Sequence, residues 1–189
     1  MQLAIDTSTR TASIALFQEG EVVAELTWHS GQNHTVELLP NLIYLLQQAK
    51  ADLRSVDGIM VAKGPGSYNG LRVGVSTAKG LCLALGVPMV GISSLEVTAF
   101  AHAQTALPIC PIHNAGGGEI ATALYQLRRG VWGRLVEEHI TTPEALCRRM
   151  ATRTLFCGDI APALVAQLEG QLGRRAVIAQ AAAKLRRAG

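Results

Sequence analysis

The chain has 189 residues, 49% of them hydrophobic, 16% charged and only 4% aromatic, which supplies a buried core and excludes a disordered polymer. So few rings argue against recognition of single strands by serial base stacking, and no apolar run approaches the ~18 residues of a membrane span. The net charge of +3 is unevenly held: six basic and eight acidic residues up to Cys110, then eleven and six.

The opening Met1-Gln2-Leu3-Ala4-Ile5-Asp6 has no basic leader pattern. Cys82, Cys110, Cys147 and Cys157 form no C-x-x-C pair. A reduced, cytoplasmic chain with no structural zinc and no membrane association is expected.

Three short strands come first: Leu3-Ala4-Ile5 running into Asp6-Thr7-Ser8-Thr9, then residues 12–17, then 22–26 after the turn Glu19-Gly20-Glu21. From 35 to 49 the apolar period becomes helical. Val36, Leu39, Ile43 and Leu46 recur at three or four, and Leu38, Leu42 and Leu45 widen the stripe. Pro40 inside this pattern implies that the helix begins near Leu38 or bends there. A strand over 58–62 leads into the loop Gly64-Pro65-Gly66-Ser67-Tyr68-Asn69-Gly70, and a helix over 71–85 stops at Gly86. A strand over 87–92 and a helix over 94–101 complete the order β-β-β-α-β-α-β-α.

That order then restarts. Ile109-Cys110-Pro111-Ile112-His113 enters the turn 114–119, strands follow over 120–127 and 131–140, and Thr142-Pro143 opens a helix as N-cap and first residue. A strand over 155–157 and a helix over 162–168 close the pattern. The letters also echo: Ala15-Leu16-Phe17-Gln18 before one hairpin turn, Ala123-Leu124-Tyr125-Gln126 before the other. An internal repeat of this kind predicts an α/β, duplicated ribonuclease-H-like fold of the actin, hexokinase and Hsp70 superfamily, with a shortened second unit. Domains are expected at 1–105 and 106–189.

In such a fold the turns after each first strand hold nucleotide phosphates and magnesium, through backbone N–H groups, hydroxyls and carboxylates. Asp6, Thr7, Ser8 and Thr9 meet that description as a possible vestigial phosphate turn. The alternative for Asp6 is a strand-end residue bonding its own turn. The facing turn carries Asn114 with three glycines after Ala115, and a neutral amide is a poorer ligand for a hard cation. Gly64, Gly66 and Gly70 follow neither dinucleotide nor Walker spacing and are read as a structural loop with positive φ and close packing. His29 and His34, five apart, read as polar linker residues and not as a metal pair. Ser67 lacks the surroundings of a nucleophile. No catalytic residue, metal site or cofactor is assigned.

The stretches Leu3-Ala4-Ile5-Asp6-Thr7-Ser8-Thr9, His34-Thr35-Val36-Glu37-Leu38-Leu39-Pro40, Lys63-Gly64-Pro65-Gly66-Ser67-Tyr68-Asn69-Gly70-Leu71-Arg72-Val73-Gly74 and Gly91-Ile92-Ser93-Ser94-Leu95 resemble the TsaB (YeaZ) family. The glycine-loop stretch is the most specific, and the set spans most of the first ~95 residues. The resemblance implies a non-catalytic paralogue of TsaD, the transferase that places threonylcarbamoyl on N6 of an adenosine beside the tRNA anticodon. It implies a TsaD heterodimer, the ATPase TsaE in the larger complex, tRNA met through that complex, and a homodimer when the chain is alone. Nucleotide and metal would belong to TsaD or TsaE. Leu38, Leu42 and Leu45 of the first helix, with Val75 and Ala78 of the second, are expected at the partner interface, and the competing reading makes the whole stripe internal core. The sequence departs from the family at Asn114 to Gly118, where an Asp-Ala-Arg type turn is usual, at Asn69, where threonine is commoner, and in its C-terminal residues, which lack the family's Pro-x-Tyr-Leu-Arg ending. A small kinase-like ATPase, a protease and, from the basic second half, an RNA-binding adaptor are the other classes open to such a sequence.

Overall fold

The computed structural model describes residues 1–179, in two compact units that meet in sequence at Ser94 and Leu95. Lys184, Arg186 and Arg187 of the basic tail, in the stretch that lacks the family's ending, lie outside the described residues.

The first unit contains β1 (Gln2–Asp6), β2 (Thr11–Gln18), β3 (Glu21–His29), α1 (His34–Gln48), β4 (Gly58–Gly64), α2 (Tyr68–Leu85) and β5 (Met89–Ser93). Its sheet runs β3-β2-β1-β4-β5, with β1 antiparallel to β2 and parallel to β4. Alternation puts Leu3, Ile5, Ile14, Leu16, Ile59 and Val61 in one core with Leu38, Leu42, Leu45 and Leu46 of α1 and Ala78 of α2. The helix α1 starts at His34 and continues through Pro40, whose ring lies on the exposed side. The carbonyl of Val36, for which Pro40 has no N–H to donate, is therefore free to meet water. The helix α2 starts three residues earlier than its apolar pattern suggested, capped by Ser67, and ends at Gly86 with φ +70°.

The second unit takes α3 (Ser94–Phe100) from its second residue onward, then β6 (Ile109–Gly116), β7 (Glu119–Arg128), β8 (Val131–Thr141), α4 (Pro143–Arg149), β9 (Thr154–Gly158), α5 (Pro162–Leu172) and β10 (Ala176–Ile178). Its sheet order, β10-β9-β6-β7-β8, repeats the first strand for strand. The second copy is thus abbreviated in its helices, with seven residues in α4 against fifteen in α1, and not in its strands. One face packs Cys110, Ile112 and Phe156 against Leu146 of α4 and Leu168 and Leu172 of α5. The opposite face packs Ile109, Tyr125 and Cys157 against Leu95 and Ala99 of α3. This burial draws α3 into the second unit, ahead of the 105/106 division read from the sequence.

The β2–β3 and β7–β8 tips each use two residues of positive φ, Glu19-Gly20 and Arg129-Gly130, the type I′ geometry that fits the twist of two-residue hairpins.

Candidate functional site: a sealed turn and an exposed helical face

The turn after β1 is closed on itself and then covered. The Asp6 carboxylate accepts from the Ser8 N–H at 2.8 Å and from the Ser8 hydroxyl, the self-bonded strand end that is the alternative to a metal carboxylate. Thr7 and Ser8 are 2% and 0% exposed. The Thr7 hydroxyl donates to the Gly70 carbonyl at 2.8 Å, and the Ser67 N–H donates to the Ser8 carbonyl at 2.7 Å. Glycine permits this approach: a Cβ on Gly66 would strike the Ser8 carbonyl, one on Gly70 the Thr7 carbonyl, and one on Gly74 the Thr7 hydroxyl. The loop and the first turns of α2 therefore occupy the space over Thr7 and Ser8. Gly64, whose φ is +102°, packs against Leu71. The structural reading of the glycines extends to Gly74, which the sequence reading left out.

The corresponding turn of the second unit repeats the motif. Asn114 Oδ1 accepts from the Gly116 N–H at 2.8 Å, and Gly116, Gly117 and Gly118 all have positive φ. Among the described residues, no group of three or more His, Cys, Asp or Glu side chains is placed to hold a metal. Ser67 acts as a helix cap, its hydroxyl accepting from the Gly70 N–H at 3.4 Å.

The linker into α1 is more ordered than its polar letters suggest. His34 is 4% exposed, and its Nε2 pairs with the Thr9 carbonyl at 2.8 Å, tying the β1–β2 turn to the start of the helix. His29 ends β3 and is exposed. Glu37 accepts from the Trp28 indole N–H at 3.0 Å. The neighbouring Ser30 hydroxyl holds its carboxyl below the usual range. Partial burial opposes this, and Trp28, Asn33 and His34 add to the lowering.

The expected interface residues fall on the wrong side of their helices. Leu38, Leu42, Leu45 and Ala78 are 1%, 2%, 3% and 0% exposed and belong to the core of the first unit, and Val75 is half-buried against it. Leu38, Leu42, Leu45 and Ala78 thus have almost no exposed surface to offer a partner. The outward stripe of α1 is instead Val36, Leu39 and Ile43, at 70%, 48% and 57% exposure. Beside it a groove of about 600 Å³ runs between α1 and α2, lined by Thr35, Leu39, Asn69, Arg72, Val73 and Ser76 among others. The Arg72 guanidinium stands 5.4 Å from the centre of the exposed Tyr68 ring. Pro40 marked this stripe in the sequence, because a proline inside a helix is best tolerated where the carbonyl it leaves unpaired faces solvent.

Two sheets of identical order, each opening on the same side-chain-closed turn, define the duplicated ribonuclease-H-like class. A family model described as TsaD, tRNA N6-adenosine threonylcarbamoyltransferase, matches residues 21–155. The tRNA threonylcarbamoyladenosine biosynthesis protein TsaB of Bacillus subtilis is 40% identical over 72% of this chain and 59% of its own length. That of Escherichia coli is 32% identical over 78% of this chain and 65% of its own length. YeaZ from Pseudomonas aeruginosa superposes with a TM-score of 0.79 at 28% identity, over 99% of this chain and 86% of that one. The chain belongs to the TsaD family, in its TsaB (YeaZ) branch. It spans somewhat less than two thirds of the length of the curated relatives it matches.

Proposed function

We propose that this chain is a non-catalytic subunit of the machinery that makes tRNA N6-threonylcarbamoyladenosine, and that it acts by binding and activating the TsaD transferase. The observation that carries this reading is the pairing of a sealed turn with an open apolar helix face. Thr7 and Ser8, which a phosphate would need, have their donors engaged already, the Thr7 hydroxyl by the Gly70 carbonyl and the Ser8 N–H and hydroxyl by the Asp6 carboxylate. Val36, Leu39 and Ile43 remain outside the core that their helix serves. Scattered exposed apolar residues are ordinary, but a stripe of three at helical spacing beside a groove is the form of a helix-packing surface.

In this reading α1 and α2 pack on the equivalent pair of TsaD, in an interface of the standard size of ~1,600 Å². The same face pairs two copies of this chain when TsaD is absent. TsaE joins the assembled pair, and tRNA is met through the complex, in the cytoplasm. A kinase-like ATPase would need phosphate contacts at Thr7 and Ser8 and a carboxylate in the second turn. The first are taken and the second is Asn114.

Reconstitution tests this. With TsaD, TsaE and the remaining components present, tRNA modification should depend on added chain, and the chain alone should not hydrolyse ATP. Full modification without it, or brisk ATP turnover by it alone, contradicts the proposal.

A further inference from the structure

One end of the second sheet gathers arginines from three separate connections. The strands β6, β9 and β10 run parallel, with Ile109, Leu155 and Val177 in register, and β7 returns so that Tyr125 lies opposite Ile109. The β7–β8 tip (Arg128, Arg129), the end of α4 (Arg148, Arg149), the approach to β9 (Arg153) and the approach to β10 (Arg174, Arg175) therefore all emerge at the same end. All seven are exposed. At ~4.8 Å per strand this edge is roughly 20 Å wide. Glu119 and Asp159 of the opposite connections lie at the other end, whereas Glu144, one helical turn before Arg148, interacts with it, and Glu169 lies one turn before the close of α5.

Some of this charge has local work. Arg175 donates to the carbonyls of Met150 at 2.7 Å and Leu172 at 3.4 Å, and Arg128 donates to Gln126 at 2.6 Å. Arg148 and Arg149 suit the C-terminal end of a helix dipole. Among the described residues, however, no ion pair engages any of these seven, whereas Arg134 on β8 pairs with Glu137 and Glu138.

The first unit supplies the internal control. Its equivalent connections carry Glu19, Glu21, Asp52 and Asp57 against Lys50 and Arg54, and Asp57 pairs with the chain's own amino terminus. The turn position that holds Glu19 in one hairpin holds Arg129 in the other, with φ of 54° and 51°. The fold thus accepts either sign at this end, and the arginines of the second unit are not required by it.

We infer that this arginine-rich end is a docking surface for the phosphate backbone of RNA, the tRNA of the reaction. The inference rests on the proposed role in tRNA modification and adds to it a direct contact by this chain. Cations spread along an edge, in excess over the carboxylates beside it, position a polyanion through counterion release and read no sequence.

The test uses the full chain, alone and with TsaD, titrated with an unmodified tRNA transcript over a range of NaCl concentrations. Replacing Arg128, Arg129, Arg153 and Arg174 together by Gln should weaken tRNA binding at least tenfold and lower the slope of log affinity against log salt by about 3. Arg134→Gln should change affinity less than twofold. Unchanged affinity and slope in the fourfold variant overturn the inference, as does an absence of tRNA binding by the native chain both alone and with TsaD. Loss of TsaD association with tRNA binding intact would assign the edge to an acidic protein surface and overturn it equally. TsaD retention by the native chain, scored on the same preparations, keeps failure of this contact distinct from failure of the subunit role.

Discussion

The Thr7 hydroxyl donates to the Gly70 carbonyl at 2.8 Å, and a methyl group on Gly70 would collide with the Thr7 carbonyl. This one contact locks the first helix turn of α2 onto the β1–β2 connection, where Thr7 and Ser8 are buried. It links a local sequence feature, glycine at 66, 70 and 74, to a structural consequence, the burial of Thr7 and Ser8 under the loop.

Gly70→Ala and Gly74→Ala should each destabilise the protein by about 2–3 kcal/mol, since the first carbon meets the Thr7 carbonyl and the second displaces the Thr7 hydroxyl from its bond to Gly70. Thermal melts should show a fall of roughly 5–10 °C. Gly80→Ala, where nothing lies within 4 Å of the added carbon, should leave the melt unchanged or slightly raised. Equal melts for all three would remove the close-approach argument.

Much of the architecture was legible before any coordinates. The return of the β-β-β-α-β order, with the Ala15–Gln18 and Ala123–Gln126 echoes, implied two matching sheets, because each unit needs the same layers to bury its apolar alternation. The third parallel strand of the second unit, β10, was not legible: Ala176–Ile178 is only three residues long and follows two arginines, so neither length nor period announces it. Which side of α1 is outward was not legible for a different reason. Seven apolar residues surround more than half of that helix, and periodicity alone cannot say which side meets the sheet. His34 was misjudged because a polar residue buried by one backbone hydrogen bond looks the same in sequence as a solvated one.

Glu37 should make stability depend on pH. Its carboxyl titrates below the ordinary value of 4.5 in the folded chain. A depressed folded value means that the contribution is complete above the unfolded value and disappears as pH falls through the folded one. Glu37→Gln should therefore melt below the native protein at about pH 7, with the difference closing below about pH 4. A difference that is constant across this range would show that packing, and not ionisation, is responsible.

Burial pushes the Cys110 and Cys157 thiols up to about 12, and Cys147 is also buried and raised. Cys82 is half-exposed, with its own thiol raised by burial. A thiol reagent at about pH 8 should slowly modify one cysteine per native chain and all four in denaturant. Rapid modification of two or more in the native protein would contradict the packing of the second unit.

The two sides of α1 should respond oppositely to a carboxylate. Leu42→Glu places a charge in a core position that is 2% exposed, which costs several kcal/mol and should prevent folding of the first unit. Ile43→Glu, one residue further at 57% exposure, should leave circular dichroism and melting near native. A well-folded Leu42→Glu protein would contradict the orientation of this helix.

The most direct measurement is retention of this chain by tagged TsaD from the same organism, comparing native protein with Ile43→Glu. The account predicts stoichiometric retention of the native chain and none of the equally stable variant. Retention of both to the same extent would contradict it.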